Sequence, residues 1–405
     1  MIKNLTIRNY KSIEDMPLDL GRFNVFIGEN GAGKSNVLEA IALASAAVGD
    51  KLDNEFLVSR GVRVTRAELM RAAFDAQSHR EPIVIDVTDD DGEHLALELQ
   101  NDNSPYSKWL RIVRRTDTQI DLEHALQIPG KRDKENRQAL LERLDKLKQA
   151  LQQAQDDDTP LAPLSAVDPE LGKLLMESAA SNALRTAFEN FLIYSPENSA
   201  LRTFAREGQI QPLGINGEGL LKLLHVYAEM ADDSTLQAIK SSLKLLNWFD
   251  DFTIPPDSAD ERLLLKDRFL AESSAEIDQK SANEGFLFLL FYFTLFNSKL
   301  TPSFFAIDNI DASLNPKLCH KMTAELARLA RENGKQVILT THNPAILDGL
   351  DLDDDEQRLF VISRGRNGSS KIKRIMKPAA TPDQPPFRLS ELFLRGVLGG
   401  LPKGF

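Results

Sequence analysis

The chain has 405 residues, of which 42% are hydrophobic and 27% are charged, a balance typical of a globular protein with a sizeable core and more than one subdomain. Its formal net charge of −11 opposes broad, nonspecific attraction to nucleic-acid phosphate, so any such contact needs a local basic cluster. The single cysteine, Cys319, excludes an internal disulfide and argues against a thiolate metal cluster.

The first segment with recognisable chemistry is the Gly-rich stretch GENGAGKS at 28–35. It lies between an apolar strand that ends at Ile27 and an apolar helix that contains Leu38, which is the setting of a phosphate-binding P-loop. We expect backbone N–H groups to turn inward on the phosphates, Lys34 to reach the β- and γ-phosphates of ATP, and Ser35 to hold Mg²⁺. The predicted nucleotide-binding residues of this loop are Asn30, Gly31, Ala32, Gly33, Lys34 and Ser35.

Two apolar runs, Ile83 to Val87 and Leu95 to Leu99, follow further along and predict antiparallel strands. Between them lies Asp89-Asp90-Asp91-Gly92, which we interpret as a hairpin turn rather than a metal site. Asp353-Asp354-Asp355 is interpreted in the same way, as a solvated loop.

A strongly helical segment runs from about Asp133 to Gln155 and carries one stripe of leucines at helical spacing. The stripe is too short for a long coiled-coil arm, so we interpret 121–190 as a helical insertion. The insertion either binds a partner or has only a structural packing role. The four stripe residues are Leu140, Leu144, Leu147 and Leu151.

Polar residues end two strands of the C-terminal half. Phe304 to Ile307 predicts a buried strand that ends in Asp308, where a carboxylate would meet the water shell of Mg²⁺ at the carboxyl edge of a parallel sheet. Gln336 to Leu339 predicts another strand, followed by Thr340, Thr341 and His342. A histidine at that place can sense a γ-phosphate, so ATP and Mg²⁺ are the predicted ligands.

The run Phe286 to Phe296 is apolar but shorter than the roughly 20 residues of a membrane helix, which predicts a core helix and no membrane contact. The N-terminus has no charged-then-apolar leader. The cytoplasm is therefore the expected compartment.

The sequences of these segments resemble those of a known family. DNIDASLNP at 308–316 reads like the metal-site segment of SMC-type ATPases, and TTHNPAIL at 340–347 resembles their histidine switch. The order of P-loop, Asp strand and His strand is similar to that of the ABC-type ATPase head, which RecF and the standalone bacterial ATPases related to the overcoming-lysogenisation-defect proteins share. The resemblance covers roughly residues 1–50 and 190–365. It implies an α/β P-loop NTPase of ABC-ATPase-head type, with a mixed sheet core, an antiparallel β lobe and a helical insertion.

One position departs from the family pattern. The residue after the metal Asp is usually a Glu that activates the attacking water, and here it is Asn309. An amide cannot accept the proton of a water, and loss of a general base typically costs about 10²–10⁴-fold in rate. The resemblance assigns catalytic positions to Asp308, Asn309 and His342. Asp311, which resembles the residue that contacts the opposite subunit, is a candidate substitute base.

The resemblance also implies a signature segment that closes the site from a second subunit. The best match is Ser281-Ala282-Asn283-Glu284-Gly285 at the start of an apolar helix, in which Ser281, Asn283 and Gly285 would contact the nucleotide. The alternative is a simple N-capped helix. With the signature interpretation, the protein must form a homodimer or a higher oligomer to hydrolyse ATP.

We divide the chain into an N-terminal ATPase lobe at 1–120, the helical insertion at 121–190, a C-terminal ATPase lobe at 191–375 and a tail at 376–405. The tail is a Pro-rich linker followed by an apolar run from Leu389 to Leu398, which predicts a docking peptide. Its partner is the chain's own core, a second copy, or another protein.

Two basic clusters are candidates for contact with nucleic acid, although the first also fits a solvated strand face. The first contains Lys108, Arg111, Arg114 and Arg115, and the second contains Arg364, Arg366, Lys371, Lys373 and Arg374.

These features favour a Mg-ATP-dependent, dimeric ATPase switch that controls a separate effector, a nuclease or a toxin. The resemblance connects such heads with bacterial defence against phage. One alternative is a scaffold that hydrolyses ATP poorly because of Asn309. The other is a RecF-like DNA-repair ATPase, which the negative net charge of the chain disfavours.

Overall fold

The computed structural model describes residues 1–74, 78–112, 182–255, 262–271, 276–377 and 388–401. The predicted helix at 133–155, its leucine stripe, Arg114 and Arg115 lie outside these ranges, as does most of the proposed insertion. Its last residues form the helix Asn182–Glu189.

The strands are β1 (Ile2–Tyr10), β2 (Ile13–Asp19), β3 (Phe23–Ile27), β4 (Ile83–Asp89), β5 (His94–Gln100), β6 (Leu110–Ile112), β7 (Ile193–Tyr194), β8 (Phe249–Thr253), β9 (Leu264–Asp267), β10 (Glu276–Asp278), β11 (Phe304–Ile307), β12 (Gln336–Thr341), β13 (Gln357–Arg364) and β14 (Ser370–Ile375). Besides Asn182–Glu189, the helices are Lys34–Val48, Asn54–Ser59, Ala67–Met70, Asn198–Leu201, Leu220–Glu229, Ser234–Leu243, Glu284–Asn297, Pro316–Glu332 and Leu389–Leu394, with a 3₁₀ turn at Pro344–Gly349.

The chain forms two compact units. The first takes its described residues from Met1–Asp19, Leu43–Leu57 and Arg63–Glu189, and the second from Leu20–Ala42, Val58–Val62 and Asn190–Phe405. The division of the chain into four parts proposed from the sequence stays a prediction.

The first unit contains a five-stranded antiparallel sheet in the order β2-β1-β4-β5-β6. Its strands β4 and β5 alternate between buried and partly exposed residues, because an antiparallel sheet can leave one face to solvent. The Asp-rich segment is the turn of the β4–β5 hairpin, as predicted. There Asp89 Oδ1 accepts from the N–H groups of Asp91 and Glu93 at 3.0 and 2.9 Å, and Gly92 has φ +82°.

The second unit is built on a six-stranded mixed sheet in the order β14-β13-β3-β12-β11-β7. Strands β13, β3, β12, β11 and β7 are parallel, and β14 pairs with β13 in the antiparallel direction. Every residue of β3, β11 and β12 is buried, which fits their mostly apolar sequences. The polar exceptions are Asn24, Gln336, Thr340 and Thr341. A separate three-stranded antiparallel sheet has the order β10-β9-β8.

The helix Glu284–Asn297 forms the centre of the second unit's core. Its residues Phe286 to Asn297 are all buried, and an all-apolar helix is stable only in such a place. Phe291 meets Tyr194 at 5.7 Å between ring centroids, and Phe286 stacks on Phe249 at 5.7 Å. The expectation of a core helix is confirmed. In the ranges that the structure describes, no helix combines the length and the apolar character needed to cross a bilayer.

The C-terminal run packs on the core of its own unit. Leu392, Phe393 and Leu398 are buried within that core, and Ser390 Oγ donates to Asp348 Oδ2 at 2.7 Å. This is the packing on the chain's own core that the sequence left as one of three possibilities.

Candidate functional site

The register of the parallel strands brings the predicted site residues to one edge of the six-stranded sheet. Strand β12 lies between β3 and β11, with Thr341 opposite Ile27 and Leu339 opposite Ile307. The residues that follow these partners therefore emerge side by side: the P-loop after β3, Asp308 after β11 and His342 after β12. This is the carboxyl edge, where parallel α/β sheets bind their ligands.

Lys34 lies inside the P-loop with only 6% of its surface exposed. Its Nζ donates to the carbonyl oxygens of Gly28 and Glu29 at 2.8 and 3.1 Å and is 3.5 Å from His342 Nδ1. Burial lowers the pKa of Lys34 to about 8, although the charges of Asp308, Glu29 and Asp311 oppose this shift. The residue is thus held at the loop with hydrogen bonds that phosphate oxygens can replace.

Ser35 and Asp308 are in direct contact. Ser35 Oγ donates to Asp308 Oδ2 at 3.0 Å, and the hydroxyl of Thr340 donates to the other oxygen, Asp308 Oδ1. Both carboxylate oxygens are therefore oriented by hydroxyl groups, and a hydroxyl and a carboxylate face the same point.

This pair fits Mg²⁺, which keeps several waters and takes one or two protein oxygens together with phosphate oxygens. Within the described ranges, no group of three or more His, Cys, Asp or Glu side chains forms a metal cluster, and a site of this kind does not need one. The metal roles of Ser35 and Asp308 stay predictions.

His342 follows β12 and lies beside Lys34. Partial burial and then the nearby Lys34 charge lower the pKa of His342, while Asp311, Asp308 and a hydrogen bond with the Gly28 backbone act in the opposite direction. A neutral imidazole at this position can accept a hydrogen bond.

Asn309 and Asp311 are tied to the two threonines of β12. The Asn309 N–H donates to Thr340 Oγ1 at 2.9 Å, and Thr341 Oγ1 donates to Asp311 Oδ1 at 2.5 Å. Asn309 has φ +55°, a left-handed conformation that asparagine adopts more readily than most residues. The side chain of Asn309 is exposed at the site.

The predicted signature segment has the geometry of a capped helix start. Asn283 Oδ1 accepts from the Phe286 N–H at 2.8 Å, and the Ser281 N–H donates to Asp278 Oδ1 at 2.9 Å. A methyl group at Gly285 would meet Ser313 O at 3.5 Å, so this residue lies beside the loop that follows Asp311. The contact of Ser281, Asn283 and Gly285 with a nucleotide in a second subunit stays a proposal.

Arg202, which the sequence did not single out, fastens this segment. Its guanidinium donates to the carbonyl oxygens of Gln279, Lys280 and Ala282 at 2.8, 2.6 and 2.9 Å. This role could not be predicted, because no local sequence pattern identifies an arginine that will bind the backbone of residues 77–80 positions later.

The roles of Thr340 and Thr341 as partners of Asp308 and Asp311 were also missed. Their place at the end of a parallel strand beside the Asp308 strand was visible in the sequence. A hydroxyl in that position can orient a carboxylate on the neighbouring strand, and this signal could have found them.

A comparison with protein-family models matches residues 23–348 to the family described as "AAA domain, putative AbiEii toxin, Type IV TA system". The matched region contains the P-loop, Asp308 and His342. The chain belongs to this AAA-domain family. The prediction of an AAA-family protein, made from the sequences of its motifs, is thereby confirmed.

Curated relatives of this AAA-domain chain match it over short segments. The DNA replication and repair protein RecF of Leptospira interrogans is 47% identical over 45 residues, which are 11% of this chain and 12% of RecF. The OLD nuclease of Thermus scotoductus is 44% identical over 43 residues, which are 11% of this chain and 8% of that protein. The matched segments thus span about a tenth of the relatives' lengths.

Among solved structures, the AAA-domain chain is similar to an SMC head bound to the C-terminal winged-helix domain of ScpA. The TM-score is 0.53 at 14% sequence identity, over 93% of this chain and 98% of that structure. This similarity establishes the fold: an α/β P-loop NTPase of the ABC-ATPase-head type.

Proposed function

We propose that this chain binds and hydrolyses Mg-ATP as a dimeric switch. The observation that carries the proposal is that Lys34, Ser35, Asp308 and His342 lie together at one sheet edge of the second compact unit. Lys34 is in contact with His342, and Ser35 is in contact with Asp308. Lys34 would bind the β- and γ-phosphates, and Ser35 and Asp308 would hold Mg²⁺. When bound, Mg²⁺ would neutralise charge on the phosphate oxygens.

Hydrolysis needs a group that orients the attacking water. Asn309 can donate a hydrogen bond to that water, but its amide cannot take the proton. His342, whose pKa is lowered, and Asp311, which Thr341 holds, are the two candidate bases near the site. We assign the catalytic positions to Asp308, Asn309 and His342, with Asp311 as the substitute base.

Dimerisation would place the segment Ser281 to Gly285 of one copy against the nucleotide of the other. The segment caps a helix of 14 residues, and a helix N-terminus favours anionic phosphate. In this scheme ATP binding closes the dimer and hydrolysis opens it. The output passes to a separate effector, a nuclease or a toxin, in defence against phage; the toxin wording of the family and the segment similar to OLD nuclease support this assignment.

Steady-state hydrolysis of Mg-ATP over a range of protein concentration tests the proposal. We expect turnover per chain to rise with protein concentration, because two copies build each site. Lys34→Ala should remove ATP binding and turnover, and Lys222→Ala, which replaces an exposed lysine of the same unit, should change neither. The proposal fails if Lys34→Ala binds ATP as tightly as the parent.

A second candidate function is favoured by Asn309: a nucleotide-dependent scaffold that assembles its effector without cycling. Tight ATP binding with no measurable turnover would support the scaffold over the switch. The segment similar to RecF also raises a DNA-repair role, but the net charge of −11 opposes DNA contact outside a local cluster. Two arginines of the second basic cluster have partners within the chain. Arg364 donates a hydrogen bond to Gly31 O, and Arg374 donates one to the Asp355 carboxylate.

A further inference from the structure

Strands β13 and β14 are joined by a short turn that is held by its own hydrogen bonds. Gly365 N–H donates to Ser369 O at 2.7 Å, and Asn367 Oδ1 accepts from the Ser369 hydroxyl at 2.8 Å. The first pair beyond the turn is Arg364 opposite Ser370. Directly opposed residues of an antiparallel pair project to the same face, so these two side chains act from one rigid element.

Both side chains contact the P-loop, at two consecutive carbonyl groups. Arg364 Nε donates to Gly31 O at 2.9 Å, and Ser370 Oγ donates to Ala32 O at 2.6 Å. Arg364 Nη1 also donates to Gly368 O, which ties the guanidinium to its own turn. Ser370 is 1% exposed, so its contact lies in a dry environment.

Strand β13 continues this contact toward the start of the loop. A methyl group at Gly28 would lie 2.0 Å from Ile362 O, so only glycine allows the strand and the loop to approach this closely. The hairpin therefore lies against the P-loop at Gly28, Gly31 and Ala32, all in the second compact unit.

The orientation of these carbonyl groups determines where the loop's N–H groups point. In a trans peptide, the C=O of one residue and the N–H of the next point in opposite directions. Holding Gly31 O and Ala32 O against the hairpin therefore directs the N–H groups of Ala32 and Gly33 away from it. The Ala32 N–H indeed turns into the loop, where it donates to Glu29 O at 3.3 Å. A P-loop binds phosphate with such inward N–H groups.

We propose that the β13–β14 hairpin is a brace for the P-loop, and that Arg364 and Ser370 are positioning residues for nucleotide binding. They hold two carbonyl groups outward and so keep the N–H groups of Ala32 and Gly33 on the inner side of the loop, where phosphate would bind. This inference rests on the proposed function and adds two residues from outside the loop to its nucleotide site. It also gives Arg364 a role different from the nucleic-acid contact considered for its basic cluster.

The test is a fluorescence titration with mant-ATP and Mg²⁺, together with steady-state turnover, on Arg364→Gln, Ser370→Ala and the double variant. Loss of a charged hydrogen bond should raise the Kd of Arg364→Gln about tenfold, and that of Ser370→Ala somewhat less. The double variant should fall short of the product of the two effects, because both residues hold the same loop. The KM should rise with kcat nearly unchanged, which a general loss of folded protein would not produce.

Two further variants separate the brace from simpler explanations. Arg364→Lys keeps the charge but cannot bind Gly31 O and Gly368 O as a planar fork, so we expect it to bind nearly as weakly as Arg364→Gln. Arg366→Gln removes an exposed arginine of the same turn and should bind like the parent. We expect the melting temperature without nucleotide to be similar for the parent and all of these variants.

Parent-like binding by Arg364→Gln and Ser370→Ala would overturn the brace, provided that Lys34→Ala abolishes binding. Full recovery in Arg364→Lys would overturn it as well, because a charge alone would then explain the effect. Failure of the proposed function has a different signature, since the parent chain itself would not bind mant-ATP or would bind it equally without Lys34.

Discussion

Ser35 Oγ and Asp308 Oδ2 are 3.0 Å apart, although 273 positions of the chain separate the two residues. The contact joins the residue after the P-loop lysine to the residue after β11, and Thr340 orients the second carboxylate oxygen. A hydroxyl and a carboxylate are thus arranged around one point.

Asp308→Asn should lower ATP turnover by roughly 10²–10³-fold, because it removes the negative charge that would hold Mg²⁺ near the phosphates. The amide retains the size of the side chain and can still accept from Ser35. We expect the half-saturating Mg²⁺ concentration to rise in a turnover titration. Asp15→Asn, at an exposed position of β2, serves as the control, and an unchanged Mg²⁺ dependence in Asp308→Asn would contradict the metal assignment.

Asn309→Glu should increase turnover at least tenfold, since a carboxylate can accept the proton of the attacking water and general bases contribute about 10²–10⁴-fold. The matched control is Asn309→Gln, which has the same length but no basic group. Both variants place a longer side chain at φ +55°, so both should lose a similar, small amount of stability. Equal turnover in the Glu and Gln variants would show that the base comes from elsewhere, with Asp311 and His342 as the next candidates.

The P-loop, the Asp308 strand and the His342 strand were predictable because their signals are local. A glycine pattern between a strand and a helix, or an apolar run that ends in Asp, can be recognised within ten residues or so. The parallel sheet then brings the three strand ends together at one edge by a general rule of α/β folds. Sequence reasoning therefore placed Lys34, Ser35, Asp308 and His342 near each other, and the structure agrees.

Contacts between distant segments that carry no recognisable motif could not be predicted in this way. Arg364 and Gly31 are 333 positions apart, and the sequence around Arg364 favoured an exposed basic cluster instead. The apolar tail had three candidate partners, because hydrophobic spacing shows which face is apolar but not what covers it. The structure shows Leu392, Phe393 and Leu398 buried within their own unit.

Lys335→Met should destabilise the chain by about 1–3 kcal/mol, because it removes a donor that several buried carbonyl groups share. Lys335 is 3% exposed, and its Nζ donates to Ser298 O, Thr301 O and Pro302 O at 2.8, 3.0 and 3.1 Å. Urea unfolding monitored by circular dichroism measures the difference. Lys299→Met, at an exposed position, should leave the urea midpoint unchanged, and an equal midpoint for Lys335→Met would refute the structural role.

The same lysine predicts a pH dependence of stability. Burial lowers the pKa of Lys335 from its ordinary value of 10.5 to about 8 in the folded chain. Between these two values the unfolded chain binds more protons at this residue, so the free energy of unfolding gains a contribution that rises with pH. The stability difference between the parent and Lys335→Met should therefore grow from about pH 8 to pH 10. A constant difference over that range would mean that the ammonium group keeps its ordinary pKa when buried.

Arg202→Ala should leave nucleotide binding intact and impair the turnover that depends on a second copy of the chain. Arg202 holds the carbonyl oxygens of Gln279, Lys280 and Ala282, which lead into the proposed signature segment. Loss of these bonds should leave the Kd for mant-ATP unchanged, because Arg202 does not contact Lys34 or Ser35 in the part of the chain that the structure describes. Turnover should fall about tenfold and lose its rise with protein concentration, since three charged hydrogen bonds position the segment that a second copy would use. Arg206→Ala, an exposed arginine four residues on, should behave like the parent. If Arg202→Ala instead weakens ATP binding and keeps its concentration dependence, the segment Ser281 to Gly285 acts within its own chain and not across a dimer.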